Sequence, residues 1–183
     1  MNWTEFEEKC SACQKCPLHK TRTNIVIGRG NPSASLMFVG EAPGQTEDEQ
    51  GKPFVGLAGQ LLDKYLTALD FKEDDYYICN ILKCRPPMNR NPLPEEVEVC
   101  MELLRAQTRL VKPKIIVCLG KVAASALIEP DFRITQDHGK WFKKGNFMMC
   151  AVYHPSALLR DPSKREVTYT DLENVKTMLE SLE

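Results

Sequence analysis

Four short apolar runs constrain the fold of this chain more than any other feature. They cover Ser35 to Val39, Tyr76 to Leu82, Lys114 to Leu119 and Phe147 to Tyr153. β-branched and aromatic residues follow one another in each run without polar alternation, which is typical of strands buried on both faces. The segments that lie between or after them show helical periodicity, over Leu57 to Leu69, Pro94 to Leu110, Gly120 to Ile128 and Tyr169 to Leu182. Strands that alternate with helices predict an α/β fold with a parallel sheet covered on both sides.

Length and composition indicate one compact domain. The chain has 183 residues, of which 43% are apolar, and we expect a single domain over residues 1–183 that acts as a monomer. No apolar run reaches the roughly 18 residues that a membrane span requires, and the acidic, aromatic start from Met1 to Glu8 is unlike a signal peptide. We therefore expect a cytoplasmic protein that does not bind membranes. Because that compartment is reducing, the eight cysteines are interpreted as metal ligands or packed thiols and not as disulfides.

The charge of the chain is balanced overall but uneven locally. The formal net charge of −1 gives no global attraction to nucleic acid. Basic residues gather in three short places, namely Lys20 with Arg22, then Lys83, Arg85 and Arg90, then Arg160, Lys164 and Arg165. A locally basic face on a neutral protein binds phosphates modestly and with a strong dependence on salt.

Three segments that follow predicted strands carry most of the polar residues that are candidates for a binding site. The loop from Gly40 to Gly56 is long for a connection between a strand and a helix, and Asn80 to Pro87 and His154 to Arg160 follow two other strands. Parallel strands have their carboxyl ends at one edge of the sheet, where α/β folds place their binding sites. We therefore expect these three segments to converge in space.

The cysteines fall into two groups. Cys10, Cys13 and Cys16 are spaced by two residues each, and Cys84 and Cys100 lie far downstream with fifteen residues between them. Four thiolates are enough for a tetrahedral zinc site or for a cubane cluster, and the spacing alone does not choose the metal. The remaining three cysteines lie inside predicted strands, where packed thiols are expected, at Cys79, Cys118 and Cys150.

Motifs in order along most of the chain resemble those of family 4 uracil-DNA glycosylases. They are Gly40-Glu41-Ala42-Pro43-Gly44 with Glu47-Asp48, Gly51-Lys52-Pro53-Phe54-Val55-Gly56, Asn80 followed by Lys83-Cys84-Arg85-Pro86-Pro87 and Asn89-Arg90, and His154-Pro155-Ser156-Ala157-Leu158. The resemblance implies a three-layer α/β/α sandwich around a four-stranded parallel sheet. It also implies a [4Fe-4S] cluster, held by Cys13, Cys16, Cys84 and Cys100, with Cys10 as a spare cysteine.

The implied activity is the release of uracil from single- or double-stranded DNA, which leaves an abasic site in base excision repair of deaminated cytosine. Such an enzyme flips the nucleotide into a pocket, and it would be associated with the nucleoid through DNA. By the resemblance, Gly40 and Ala42 line that pocket and Phe54 stacks on the base. The amide of Asn80 matches the hydrogen-bond polarity of uracil and not of cytosine. His154, as a neutral ring, donates to the uracil 2-oxygen while the base leaves as an anion.

The motifs leave alternatives open for how water is activated and how thymine is excluded. Family 1 enzymes have an aspartate where this sequence has Ala42, so their usual water-activating carboxylate is absent. Glu41 is therefore expected either to orient water or to anchor its loop, and Asn89 is a second candidate for holding the water. Glu47 is expected either to fill the space beside C5 of the base or to belong to a solvated acidic turn.

The DNA backbone is expected to meet basic and apolar residues around the pocket. Ser156 and Arg160 would contact phosphates beside the gap, while Arg85 and Arg90 would reach the backbone from the cysteine side. Leu158 resembles the residue that enters the duplex after flipping, unless it is the buried member of the Leu158-Leu159 pair.

Three other interpretations compete with this one. The chain could be a non-catalytic DNA-binding protein with zinc, an electron carrier with a ferredoxin-like cluster, or a glycosylase that acts on another deaminated base or traps the abasic sugar covalently. Covalent relatives in the superfamily carry a basic loop ending in histidine after the cysteine strand, and Pro86 to Pro94 contains no histidine. An electron carrier gives no reason for Phe54, Asn80 and His154 to share one rim.

Overall fold

A computed structural model describes residues 1–182 as one sheet flanked by helices. The strands are β1 Arg29–Gly30, β2 Leu36–Gly40, β3 Tyr76–Asn80, β4 Ile115–Leu119, β5 Phe142–Lys144 and β6 Phe147–Val152. The helices are α1 Trp3–Ser11, α2 Gln45–Gln50, α3 Leu57–Ala68, α4 Pro94–Val111, α5 Lys121–Leu127, α6 Ile134–Asp137, α7 Pro155–Arg160 and α8 Arg165–Ser181. Short 3₁₀ turns cover Pro17–Lys20, Glu73–Asp75, Pro87–Asn89 and Pro162–Lys164.

The sheet has a parallel centre, as the sequence predicts, and two short antiparallel edges that the sequence analysis missed. Its order is β1-β3-β2-β4-β6-β5, in which β3, β2, β4 and β6 are mutually parallel and β1 and β5 are antiparallel to their neighbours. The described sheet therefore has six strands, although four were expected. The edge strands were missed because two residues in β1 and three in β5 are too few to show a periodic pattern.

The two faces of the sheet bury alternate residues of the same strands. Met37, Val39 and Cys118 face the side on which α4 and α5 pack, and Phe38 and Val117 face the side covered by α3 and α8. Because successive side chains point to opposite faces, a strand between two helical layers must be apolar at every position. This packing confirms the predicted three-layer arrangement and explains the continuous apolar runs.

Most of the expected helices form with small changes at their ends. The patterns near Leu57, Pro94, Gly120 and Tyr169 correspond to α3, α4, α5 and α8. The N-terminal helix α1, which the sequence analysis did not anticipate, begins with a capping box between Asn2 and Glu5 and packs on α4 through Phe6, Cys10 and Leu103. No helix within residues 1–182 is both long and apolar enough to cross a membrane.

The connections of the central strands create a topological switch. From β2 the chain passes to β3 on one side, whereas from β4 it passes to β6 on the other. Ligands of open α/β sheets bind outside the carboxyl ends of strands at such a point. The loops after β2, β3, β4 and β6 all lie at this edge, so the fold positions one site there.

Candidate active site

A cavity of about 500 Å³ opens at the carboxyl edge of the four parallel strands. Its volume lies within the usual range for pockets that bind small molecules. The wall combines residues that follow each of these strands, among them Glu41, Ala42, Glu47, Phe54, Asn80, Asn89, Gly120, His154 and Arg160. The expected convergence of the three predicted strand-end segments therefore occurs.

Phe54, Asn80 and Gly40 meet at one point of this cavity. A Cβ atom on Gly40 would lie 2.5 Å from both the Phe54 Cζ and the Asn80 Oδ1, which is closer than real side chains approach. The Phe54 ring is only 5% exposed, and its centroid lies 5.7 Å from that of the His154 ring with a tilt of 35°. A glycine at position 40 is therefore required for the Phe54 ring and the Asn80 amide to share this space, with the His154 ring next to Phe54.

Asn80 ends β3 with its side chain turned into the cavity wall. The residue is 2% exposed, and its Oδ1 has no hydrogen-bond partner among the described residues. A buried carbonyl oxygen without a partner costs roughly 1–3 kcal/mol, so such atoms usually serve a function. This oxygen lies close to the Phe54 ring and is free to accept a hydrogen bond from a ligand.

His154 is the N-cap of α7, and its ring orientation is set by Ser156. The Ser156 backbone N–H donates to His154 Nδ1 at 3.1 Å, and the Ser156 Oγ lies 2.7 Å from the same nitrogen. Because Nδ1 accepts, the proton of the neutral ring must be on Nε2. The imidazole therefore has a donor on the nitrogen that is not used by the cap.

The surroundings of His154 keep its ring uncharged. Burial and, to a smaller extent, the charge of Arg160 together lower the pKa of His154 to about 4, against the opposing charge of Glu47. Gly120, at φ +92°, lies so close that a Cβ atom on it would be 2.9 Å from the His154 Cβ. A neutral imidazole is consequently the form present at neutral pH.

Glu47 lies in the first turn of α2 and holds the loop that carries Phe54. Its Oε1 accepts from the backbone N–H groups of Val55 at 3.0 Å and Gly56 at 2.8 Å. Because this carboxylate also lines the cavity, the interpretation as a solvated acidic turn is wrong for Glu47. The neighbouring Asp48 is buried and accepts from the backbone of Thr23 and Asn24, which ties the N-terminal segment to α2.

Glu41 and Asn89 enter the cavity from opposite loops. Burial raises the pKa of Glu41, and within residues 1–182 its carboxylate makes no hydrogen bond or ion pair. Anchoring of the loop by this side chain therefore finds no support, whereas its carboxylate is available to a water molecule. Asn89 has a left-handed backbone with φ 54°, and its Oδ1 accepts from Arg85 Nε at 2.7 Å.

The four cysteines implied by the resemblance line a second, small cavity. Cys13 and Cys16 precede the Pro17–Lys20 turn, Cys84 follows β3, and Cys100 lies on α4. In the described chain, no three His, Cys, Asp or Glu side chains already meet as ligands of one metal ion. The donor set nevertheless fits a thiolate-bound group, because four thiols face one space and Arg22 Nη1 donates to Cys84 Sγ at 3.2 Å.

The other cysteines pack in the core, as the sequence predicts. Cys10 is fully buried between α1 and α4, and Cys79, Cys118 and Cys150 are buried in strands.

Sequence comparison assigns the family. The family model described as the Uracil DNA glycosylase superfamily matches residues 27–182. The chain belongs to this superfamily. It is 46% identical over 174 residues to a Type-4 uracil-DNA glycosylase of Archaeoglobus fulgidus, which covers 90% of this chain and 86% of the relative. It is 42% identical over 178 residues to one of Thermotoga maritima, with 94% and 92% covered.

This membership confirms the resemblance to family 4 inferred from the motifs. A third relative, a Type-4 uracil-DNA glycosylase of Pyrobaculum aerophilum, is 43% identical over 180 residues, with 94% of this chain and 92% of the relative covered. A superfamily of glycosylases favours an enzyme over the electron carrier and over the non-catalytic zinc protein.

Leu158 and Ser156, which were expected to contact DNA, contact other parts of the protein instead. Leu158 is 1% exposed and packs in the core, whereas Leu159 is 41% exposed, so burial conflicts with the expected wedge role of Leu158. The alternation arises because α7 lies against α3 and turns only one of two consecutive leucines inward. The Ser156 Oγ is bound to His154 Nδ1, so its first role is to orient that ring.

The basic residues expected to contact DNA differ in their availability. Arg90 donates to both carboxylate oxygens of Glu96, at 2.7 and 2.9 Å, and this pairing lowers the pKa of Glu96. Arg85 is half-buried and bound to Asn89, whereas Arg160 is exposed at the end of α7. Arg160 is thus the most available of these three cations, and Arg90 the most neutralised.

Lys83 supports the site from behind Asn80, although the sequence indicated only that it belongs to a basic cluster. It is fully buried, and its Nζ donates to Asn80 O and to Gln107 Oε1, both at 2.6 Å. Gln107 in turn donates to Tyr77 Oη at 3.0 Å. This network fixes the backbone of Asn80 from below the cavity. Its place in the motif between Asn80 and Cys84 was the signal in the sequence that could have indicated this role. The sequence does not show, however, that this lysine is buried.

We expect the His154 ring to titrate near pH 4 and to carry its proton on Nε2 at pH 7. Nitrogen-15 NMR of labelled protein measures both, with His138 as an internal comparison. Because the native pKa lies below that of the unfolded chain, folding stability attributable to this ring is complete above about pH 6.5 and is lost as the pH falls toward about 4. A ring that titrates near 6.5, or that protonates Nδ1, contradicts this arrangement.

Proposed function

We propose that this chain removes uracil from DNA by hydrolysing the N-glycosidic bond, as part of the repair of deaminated cytosine. The observation that carries the proposal is the unpartnered Oδ1 of Asn80, buried beside the Phe54 ring in a cavity whose other wall is His154. A cavity that holds one flat base needs a stacking surface, a hydrogen-bond reader and a donor for the leaving group. The relatives named Type-4 uracil-DNA glycosylases agree with this activity.

The base is selected by the polarity of the Asn80 amide. Its Oδ1 accepts from the N3–H of uracil, and its Nδ2 donates to the uracil 4-oxygen. Cytosine presents an acceptor at N3 and an amino donor at C4, so the same amide would meet it with both polarities reversed. Since the Asn80 Oδ1 has no other partner, uracil satisfies an atom that cytosine would leave unpaired.

The leaving group is stabilised by His154. As the glycosidic bond lengthens, negative charge gathers on the uracil 2-oxygen, and the Nε2–H donates to it. The ring is fixed by Ser156 before the reaction begins, so little reorganisation is needed. Because the ring is neutral and remains so, uracil departs as an anion and takes its proton from solvent.

Water attacks the sugar carbon from the side occupied by Glu41. The departing base leaves an oxocarbenium-like sugar, which a nearby carboxylate stabilises electrostatically. Glu41 lines the cavity with no protein partner for its oxygens within residues 1–182, so it is free to orient the water. The Nδ2 of Asn89, whose Oδ1 is bound to Arg85, offers a second contact to that water.

Thymine is excluded by crowding near Glu47. A Cβ on Gly44 would lie 2.9 Å from the Glu47 Oε2, which shows how closely this carboxylate approaches the loop after β2. Glu47 is held in place by Val55 and Gly56, so it does not swing away to admit a methyl group beside C5. Gly40 and Ala42 supply the close backbone wall on the same side.

The DNA backbone is bound by the rim of the cavity. Arg160 contacts a phosphate beside the gap, Leu159 replaces Leu158 as the apolar wedge, and Arg85 and Arg90 lie on the cysteine side. The substrate is single- or double-stranded DNA bound by a monomer of one domain, in the cytoplasm at the nucleoid. The assignments of the DNA contacts rest on exposure at the rim and on the basic clusters in the sequence.

A [4Fe-4S] cluster on Cys13, Cys16, Cys84 and Cys100 completes the proposal. When bound, it would supply a covalent tie between the N-terminal segment, the loop after β3 and α4, with a structural role and no part in hydrolysis. Arg22 would neutralise part of the charge of such an anionic group. Lys83, adjacent to Cys84, would connect the restrained loop to the backbone of Asn80.

Replacement of His154 by alanine should slow uracil release by roughly 10²-fold or more, because a transition-state hydrogen bond is lost. The assay incubates the purified protein with a uracil-containing oligonucleotide and measures free uracil and abasic sites. His138→Ala, which removes a ring bound to Asp171 and away from the cavity wall, should retain turnover per folded molecule. Release of no uracil by the unaltered protein would overturn the proposed function, and unchanged turnover of His154→Ala would remove this residue from the mechanism.

Purified protein should contain iron and sulfide in equal amounts and absorb broadly at visible wavelengths. Cys84→Ala should abolish that absorbance, because a ligand is lost, whereas Cys10→Ala should retain it, because Cys10 packs outside the small cavity. Metal analysis of the same samples distinguishes iron from zinc. Stoichiometric zinc, or loss of the cluster in Cys10→Ala alone, contradicts the assignment of ligands.

A further inference from the structure

Large exposed apolar side chains are concentrated near the mouth of the cavity. Met88 is 93% exposed, Leu57 is 74% exposed and Leu159 is 41% exposed. Each belongs to a segment whose neighbouring residues line the cavity, yet none of the three lines it. They therefore point outward at the rim, toward the side from which DNA would bring the base into the cavity.

Met88 is the most exposed of them and stands at the tip of a stiff loop. Pro86 and Pro87 precede it, and its own backbone has the left-handed φ of 55°, as does that of Asn89 at 54°. Left-handed backbone is unfavourable for residues with a Cβ, so the surrounding structure must hold it. An exposed methionine in this conformation gains nothing from packing in the free protein.

The base of this loop is fixed on both sides. Arg85 binds Asn89, backbone N–H groups of Asn89 and Arg90 donate to Pro86 and Pro87, and Arg90 is paired with the buried Glu96. The tip is therefore presented rigidly, and Arg85, whose partner is the neutral amide of Asn89, places a cation at its base that suits an approach to phosphates. A flexible thioether side chain adapts to the faces of stacked rings.

We propose that Met88 is a second apolar wedge, which enters the duplex from the side opposite to Leu159 and packs on the base that loses its partner when uracil is flipped. The occupant of this surface is thus the complementary strand of uracil-containing DNA, and the inference rests on the proposed function. Apolar side chains, methionine among them, insert between base steps in other protein–DNA complexes and offset lost stacking. The cavity determines the position of the flipped uracil, and the loop that carries Met88 lies at the gap that uracil leaves in the duplex.

This role gives Met88 an effect on duplex substrates alone. Single-stranded DNA has no opposite base, so the wedge has nothing to replace there. Met88→Ala should therefore lower kcat/KM roughly tenfold on duplex DNA and leave the value on the same single strand within about twofold. Val167→Ala, which removes an exposed apolar side chain on α8 outside the cavity wall, should change neither value.

The decisive substrate is a duplex in which an abasic analogue stands opposite uracil. Because the orphaned base is then missing, the duplex defect of Met88→Ala should largely disappear. An equal loss on single strands, a defect that persists opposite the abasic analogue, or no defect on duplex DNA would overturn the inference. A wild-type dimer that Met88→Ala converts to a monomer would overturn it too, since the surface would then be a self-interface. Failure of the wild type to release uracil from both single strands and duplex DNA would instead contradict the proposed function.

Discussion

The parallel register of the central strands is the constraint on which the rest of the structure depends. Residues 40 and 80 are paired across β2 and β3, and both strands are buried on both faces. Polar side chains are therefore confined to the strand ends, where four loops meet at one edge. The tightest point is Gly40, since any side chain there would occupy the space of the Phe54 ring and the Asn80 amide.

This close packing gives the site its electrostatic character. Burial removes water from Asn80 and from much of the His154 ring, so an unpaired amide oxygen and a neutral imidazole persist at fixed positions. Hydrogen bonds made in such surroundings act more strongly than in water, and no reorganisation is needed when a ligand arrives. The same burial makes the free site costly, and Glu47, Ser156 and Lys83 hold it together through backbone and side-chain contacts.

The sequence predicted the centre of the fold well because the parallel strands are long and apolar. It missed β1 and β5, whose few residues carry no period, and α1, which is held by a capping box and by Phe6 against α4. The motifs predicted that Phe54, Asn80 and His154 would meet. They could not predict which of Leu158 and Leu159 is buried, because that depends on how α7 lies against α3. The pairings of Arg90 with Glu96 and of Ser156 with His154 likewise depend on tertiary contacts.

A crystal structure of the protein with uracil bound in the cavity would test the central claim most directly. We expect the base to stack on Phe54, with Asn80 Oδ1 and Nδ2 about 3 Å from uracil N3 and O4, and His154 Nε2 at a similar distance from O2. A base bound outside this cavity, or an Asn80 amide that remains unpaired while uracil is bound, would contradict the account.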